Sequence, residues 1–198
     1  MPSAEREKLM GEFKNSQHGL VSNAKCLTEG VDVPAVDMVA FLSPKRSTVD
    51  IVQATGRAMR KAPNKEFGYI LVPLYLEIKK AETIEEAVRR GQFEEVWDVL
   101  AALQEQDEVL ADIIRQMRQD KGQTKGYNDT LFREQVEILG PSISLEQLKK
   151  SITTTCINNL SDNWDERFGE LLAYKAEYGD CNVPQGWLKN PGLGEWVS

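Results

Sequence analysis

The stretch STVDIVQATGRAMR, Ser47–Arg60, decides how this chain is read. At 100° per residue Gln53, Arg57 and Arg60 fall within about 60° of one another, while Ile51, Val52, Thr55, Ala58 and Met59 spread over the opposite side. One side suits a core, and the other presents an amide and two guanidinium groups. Ser47 stands where an N-cap belongs, with Asp50 three residues on. No acidic residue lies three or four positions from either arginine along the helix, so two like charges repel unless an anion from elsewhere meets them. Gly56 costs a helix about 1 kcal/mol relative to alanine and leaves the backbone beside Arg57 uncovered. A solvated basic face and an anion-binding face both remain open at this point.

Working outward, two apolar stretches precede the helix, Ala24–Leu27 and Val36–Leu42, and Phe67–Val72 follows it as a compact apolar run. The spacing predicts strand, loop, strand, helix, strand, and such alternation argues for a parallel α/β layer. Between the first two strands lies Thr28-Glu29-Gly30-Val31-Asp32-Val33-Pro34, whose Gly and Pro break any regular element. Ligands of parallel sheets bind beyond the carboxyl ends of strands. There Thr28 can hydrogen-bond a phosphate oxygen, Gly30 allows close backbone approach, and Asp32 can accept from a ribose hydroxyl. A plain turn is the alternative. Ahead of all this, Ser3 caps an expected short amphipathic helix over Ala4–Asn15, with Leu9, Met10 and Phe13 at helical spacing.

From Thr83 to Asp120 the pattern turns to long helices, with Phe93, Val96, Trp97, Leu100, Leu103, Val109, Leu110, Ile113, Ile114 and Met117 on a helical period. Lys121–Thr130, with two glycines and few apolar residues, is the expected linker. Further helices are expected from Ser144 to about Asn158 and from about Asp162 to Tyr178, the latter stopped by Gly179, and Leu193–Val197 begins one more.

Composition sets the limits. The 198 residues carry 24 basic and 31 acidic side chains, a formal charge of -7, with 41% hydrophobic residues, which is the profile of a globular chain of about one domain and a smaller part. The charge is uneven: 12 basic against 9 acidic in residues 1–80, 4 against 11 in 81–120, and 8 against 11 in 121–198. A polyanion would therefore meet the first segment and avoid the second. The longest apolar run, Met38–Leu42, is far short of a membrane span, no signal sequence opens the chain, and a cytoplasmic location is expected. Cys26, Cys156 and Cys181 are scattered, which removes a disulfide framework and a structural zinc site. His18 is the single histidine, so a catalytic triad or a two-histidine metal site would have to be built on one polar-loop residue.

The segments LTEGVDVP (Leu27–Pro34) and SPKRSTVDIVQATGRAMR (Ser43–Arg60) together resemble motifs V and VI of superfamily 2 helicases, in the second of their two RecA-like lobes. The resemblance implies that Gly30 and Asp32 face the nucleotide, that Gln53, Arg57 and Arg60 reach its γ-phosphate, and that Thr28 faces the nucleic-acid backbone. Ala58-Met59 stands where many relatives have Thr-Gly. In the tail, Trp164, Phe168, Leu171, Tyr174, Gly179, Cys181, Val183 and Pro184, then LGEWV (Leu193–Val197), resemble the helicase-associated domain repeat of some bacterial helicases.

Three parts are expected: a partial C-terminal RecA-like lobe over 1–80, a helical connector over 81–160, and a truncated helicase-associated helical domain over 161–198. The fold class is α/β, a partial RecA-like parallel sheet with flanking helices followed by helices alone. No Gly-Lys-Ser/Thr phosphate loop and no Asp-Glu-x-Asp or Asp-Glu-x-His sequence occurs. The resemblance therefore implies a piece of a longer ATP-dependent helicase or translocase, inactive by itself. ATP and magnesium would be held mainly by an N-terminal lobe, with DNA or RNA as the partner. Trp187 and Lys189 are candidates for an additional grip on a strand. The rival reading is a non-catalytic nucleic-acid-binding or regulatory module of the same shape.

Overall fold

The computed structural model describes residues 2–22, 36–42, 47–63, 65–91, 94–140, 145–160 and 163–198. These residues are mostly helical, with one small parallel sheet of two strands. They gather into two compact units, Met1–Pro73 and Leu74–Ser198.

The first unit holds α1 (Ser3–Asn15), β1 (Met38–Ala40), α2 (Thr48–Ala58) and β2 (Tyr69–Leu71). The strands pair in parallel, Met38 with Tyr69, Val39 with Ile70 and Ala40 with Leu71, and the ladder continues through Phe41 N–H to the Leu71 carbonyl at 2.9 Å. Both strands are shorter than the apolar runs that announce them. Val39 and Ile70 are half-buried while their neighbours along each strand are exposed, the period-2 alternation of a sheet covered on one side. Helix α2 packs on both strands through Ile51, Thr55 and Ala58, all at 0% exposure. Thr55 tolerates that burial because its hydroxyl donates to the Ile51 carbonyl at 2.9 Å within its own helix.

Helix α1 forms where expected but buries no residue, and its N-cap is Pro2 with no side-chain cap; Ser3 already lies inside it. Proline at that position supplies the extended backbone of a cap without a hydroxyl. The apolar stretch Ala24–Leu27, and with it the first expected strand, lies outside the described residues.

Among the described residues the regular elements of the second unit are all helices: α3 (Ile84–Gly91), α4 (Glu94–Gln104), α5 (Glu108–Thr124), α6 (Thr130–Gln135), α7 (Leu145–Leu160), α8 (Asn163–Tyr178) and α9 (Pro191–Val197). Leu110, Ile114 and Met117 make the buried stripe of α5, spaced i, i+4, i+7 as an amphipathic helix requires. Val109, read as part of that stripe, is 61% exposed because it sits one residue ahead, on the other side of the first turn. Asp107 starts α5, accepting from the Val109 and Leu110 amides at 2.9 and 3.1 Å.

The expected linker at Lys121–Thr130 begins four residues later than its composition suggests, because α5 runs on to Thr124 and Lys125 closes it in the left-handed region at φ 61°. Tertiary packing is the reason. Gly122 is buried against α8, where a Cβ would collide with the Glu166 carbonyl oxygen, and Gly169 of α8 is pressed in the same way on the Gln119 carbonyl. Around this contact runs a charge ladder. Arg118, Lys121 and Lys125 of α5 meet Glu166 and Glu170 of α8, at 2.7 Å for Arg118–Glu166, 3.3 Å for Lys121–Glu166 and 3.4 Å for Lys125–Glu170.

The tail closes on Tyr174, Val183 and Leu193, with Leu171, Trp187 and Trp196 packed around them. Asn190 caps α9 by accepting from the Leu193 amide at 3.2 Å.

Candidate functional site

Why Ser47–Arg60 becomes a helix is visible at its start. Ser47 is extended and its hydroxyl accepts from the Asp50 amide at 3.3 Å, a cap that contributes about 1 kcal/mol. Asp50 adds a negative charge to the first turn, where the helix dipole favours it. The regular helix stops at Ala58, two residues short of the sequence-based expectation, and Met59 is its C-cap. Met59 is also 39% exposed rather than part of the core side, since it has already left the helical repeat.

The separation of faces survives this shortening. Ile51, Thr55 and Ala58 are buried, whereas Gln53 is exposed, Arg57 half-buried and Arg60 exposed. Arg60 follows the cap, and its amide reaches back to the Arg57 carbonyl at 3.4 Å, which keeps the two arginines in consecutive turns. Thr28, Gly30 and Asp32 lie outside the described residues, so the structure brings together only Gln53, Arg57 and Arg60.

Sequence reasoning missed Lys65. Its ammonium donates to the Val36 carbonyl at 2.7 Å and to the Arg60 carbonyl at 2.8 Å. One side chain thus ties Val36, two residues before β1, to Arg60, just past the cap of α2. Burial lowers its pKa from the ordinary 10.5, with Asp37 acting the other way. A cation at a helix carboxyl end also meets carbonyls that have no partner within the helix. Behind it, Gly68 lets the chain entering β2 lie against the Ala58 carbonyl, where a Cβ would collide. A lysine five residues after an arginine carries no motif, so only its contacts reveal it.

The terminal residues proposed as a strand grip are differently engaged. Trp187 is half-buried, edge-on to Tyr174 at 5.0 Å and to Tyr178 at 6.0 Å between ring centroids. Lys189 donates to Glu177 at 2.6 Å and to the Tyr178 hydroxyl at 2.9 Å, and its charge lies 5.4 Å from the Tyr178 ring centroid. These contacts raise the Lys189 pKa, chiefly through Glu177. A tryptophan spent on a core and a lysine paired with a carboxylate are poor tools for stacking on bases or neutralising phosphates, because each would first have to leave its partner.

Among the described residues no cluster of three or more His, Cys, Asp or Glu side chains could hold a metal ion, and no helix is long and apolar enough to cross a membrane. Cys156 is buried, its thiol pushed up to about 12 by desolvation, so it is not poised as a thiolate nucleophile, and Cys181 is exposed.

Residues 1–62 match the model of the helicase conserved C-terminal domain, and residues 161–198 match that of the helicase associated domain. A protein named helicase 22, from a Sulfolobus islandicus filamentous virus, is 32% identical over 71 residues, which is 36% of this chain and 13% of that protein. A Saccharomyces cerevisiae protein named as the ATP-dependent helicase IRC3 is 30% identical over 67 residues, 34% of this chain and 10% of that one. Among solved structures, the ATP-dependent Type ISP restriction-modification enzyme LlaBIII bound to DNA aligns with 96% of this chain and 12% of its own, at 27% identity and a TM-score of 0.58. The chain therefore spans only about an eighth or less of the length of these relatives. Both matched segments thus point the same way, residues 1–62 to the helicase conserved C-terminal domain and residues 161–198 to the helicase associated domain.

Proposed function

We propose that this chain supplies the arginine-bearing wall of an ATP site in an ATP-dependent helicase or translocase acting on nucleic acid. The observation that carries this reading is the division of α2, with Ile51, Thr55 and Ala58 buried on one side and Gln53, Arg57 and the following Arg60 turned from them. It stands within a segment that matches the helicase conserved C-terminal domain. Attack of water on the γ-phosphorus, with departure of ADP, spreads negative charge over the transferring oxygens. Catalysis of such a step is positioning and electrostatics. Arg57 and Arg60 stabilise that charge, Gln53 orients a group beside it, and the fork of a guanidinium matches paired phosphate oxygens.

In this reading Gly30 and Asp32 face the nucleotide, Thr28 and adjacent amides contact the nucleic-acid backbone, and closing the cleft couples hydrolysis to movement along a strand. The triphosphate and its magnesium belong to a lobe bearing a phosphate loop, which this sequence does not contain. The chain is also a small part of the length of its relatives, two of which are named as ATP-dependent.

The test is Arg57→Ala in the native full-length protein. ATP turnover is expected to fall by roughly 10³ to 10⁵, the worth of an arginine that meets transition-state charge, with nucleotide-free strand binding little changed. A folded variant with normal turnover rejects the reading and leaves the non-catalytic binding module in its place.

A further inference from the structure

The chain passes from the first unit to the second between Pro73 and Leu74 and enters α3 at Ile84. Among the described residues, Leu74, Tyr75 and Leu76 make no hydrogen bond. From Glu77 onward the segment is tied down. Arg90, in the last turn of α3, donates through Nε to Glu82 Oε1 at 2.7 Å and through Nη2 to Glu82 Oε2 at 3.0 Å, and Nη2 also donates to the Glu77 carbonyl. The two-pronged pair is the strong form of a guanidinium–carboxylate contact. Glu82 Oε2 accepts in turn from the Lys79 amide at 2.8 Å, and the Glu82 amide donates to the Lys79 carbonyl at 3.0 Å. One guanidinium therefore gathers residues 77, 79 and 82 against the helix they lead into. Inside this turn Ala81 stands at φ 67°, in the left-handed region that a Cβ resists. The turn is strained, and the bonds around it hold it shut.

Helix α3 does not need Arg90 in order to start. Thr83 and Glu86 form a capping box, the Thr83 amide on Glu86 Oε2 at 2.8 Å and the Glu86 amide on the Thr83 hydroxyl at 3.2 Å. A lone surface ion pair contributes little. Here the bonds of one rigid fork converge on two separate places in the chain, one of them backbone, so losing the fork frees the whole turn at once. We infer that Arg90 is a latch that makes residues 77–83 part of the helical unit and confines the flexible joint between the two units to residues 74–76. The inference is independent of the role proposed for Arg57 and Arg60. Its consequence is a short joint, anchored firmly on its helical side, whose length is set by a side chain that lies outside the joint.

The experiment is brief trypsin digestion of the native full-length protein, with the cuts located by mass spectrometry. Trypsin needs locally unfolded chain, so cleavage after Lys79 or Lys80, whose side chains are both exposed, reports how often this turn opens. Arg90→Met keeps the apolar stem and removes the fork. It is expected to speed cleavage at Lys79 and Lys80 by roughly ten- to a hundredfold, with cleavage in α5 at Arg115 and Arg118 unchanged. Arg90→Lys keeps the charge without the planar fork and should fall between Arg90→Met and the native rate. Ala81→Gly should act in the opposite direction and slow cleavage, because glycine adopts the left-handed conformation without strain. A native rate in Arg90→Met overturns the inference. So does equal acceleration at Arg115 and Arg118, which marks a general loss of stability, and so does faster cleavage in Ala81→Gly. If Arg90→Met does not fold, Glu82→Gln is read in its place with the same expectation. Failure of both variants to fold assigns the pair to global stability and overturns the latch.

Discussion

Gly122 of α5 and Gly169 of α8 interlock, each pressed on a carbonyl of the opposite helix, Gly122 on Glu166 and Gly169 on Gln119. Each glycine stands in a helix interior, where it costs about 1 kcal/mol relative to alanine, and the closeness of the two backbones is what that cost permits. Gly122→Ala or Gly169→Ala should therefore destabilise the chain by about 1–3 kcal/mol, since a backbone carbonyl cannot move aside as a side chain can. Gly11→Ala is the control. A Cβ there meets nothing within 4 Å, and the same substitution should stabilise α1 by up to about 1 kcal/mol. Thermal unfolding of the three variants checks the opposite signs.

Removal of Glu166 should be more damaging than its position near the surface suggests. The Arg118 side chain is 6% exposed, with Asn158 and Asn163 as further partners at 2.9 and 3.1 Å, and Glu166 is the carboxylate it pairs with among the described residues. Glu166→Ala leaves a guanidinium buried without its counter-charge, which costs about 3–5 kcal/mol. Arg118→Met should cost less, because the carboxylate left behind can turn to water and to Lys121. Denaturant titration of the two variants gives the order, and equal losses would contradict it.

Acid stability should bear the mark of Glu82. Its carboxylate accepts from Arg90 at 2.7 Å and from the Lys79 amide at 2.8 Å, and these bonds, that from Arg90 foremost, hold its pKa at about 2 instead of the ordinary 4.5. A group depressed on folding adds stability that is complete above its unfolded pKa and is lost as pH falls through the folded one. The contribution is thus constant above about pH 4.5 and fades between there and about 2. Glu82→Gln should remove that acid slope while lowering stability at neutral pH, and a carboxyl resonance of Glu82 titrating near 4.5 in the folded protein would refute the assignment.

Arg57→Lys should rescue turnover poorly in the native full-length protein, since a single ammonium cannot pair with two phosphate oxygens in a plane. The 198-residue chain alone should bind ATP feebly and not hydrolyse it, because in the proposed reading it supplies one wall of a two-walled site. Steady-state phosphate release measures both, and sustained turnover by the isolated chain would undo the divided site.

Much of this was legible in the sequence because the signals are local. Ser47 with Asp50, the buried and polar sides of α2, the stops at Gly179 and the start of α9 each follow from neighbouring residues, and capping and periodicity act over one or two turns. The spacing of Gln53, Arg57 and Arg60 carries the resemblance matched over residues 1–62, and the aromatic and apolar pattern from Trp164 to Val197 carries the one matched over residues 161–198. What only the tertiary structure decided depends on partners far along the chain. Lys121–Thr124 reads as linker by composition, yet it is helix because Gly122 meets α8 more than forty residues later. Trp187 and Lys189 read as a surface for nucleic acid, yet Tyr174 and Glu177 occupy them. Lys65 reads as one more surface lysine until Val36 and Arg60 are seen on its ammonium. Side-chain chemistry states what a residue can bind, and only the approach of distant backbone determines which of those bonds is already made.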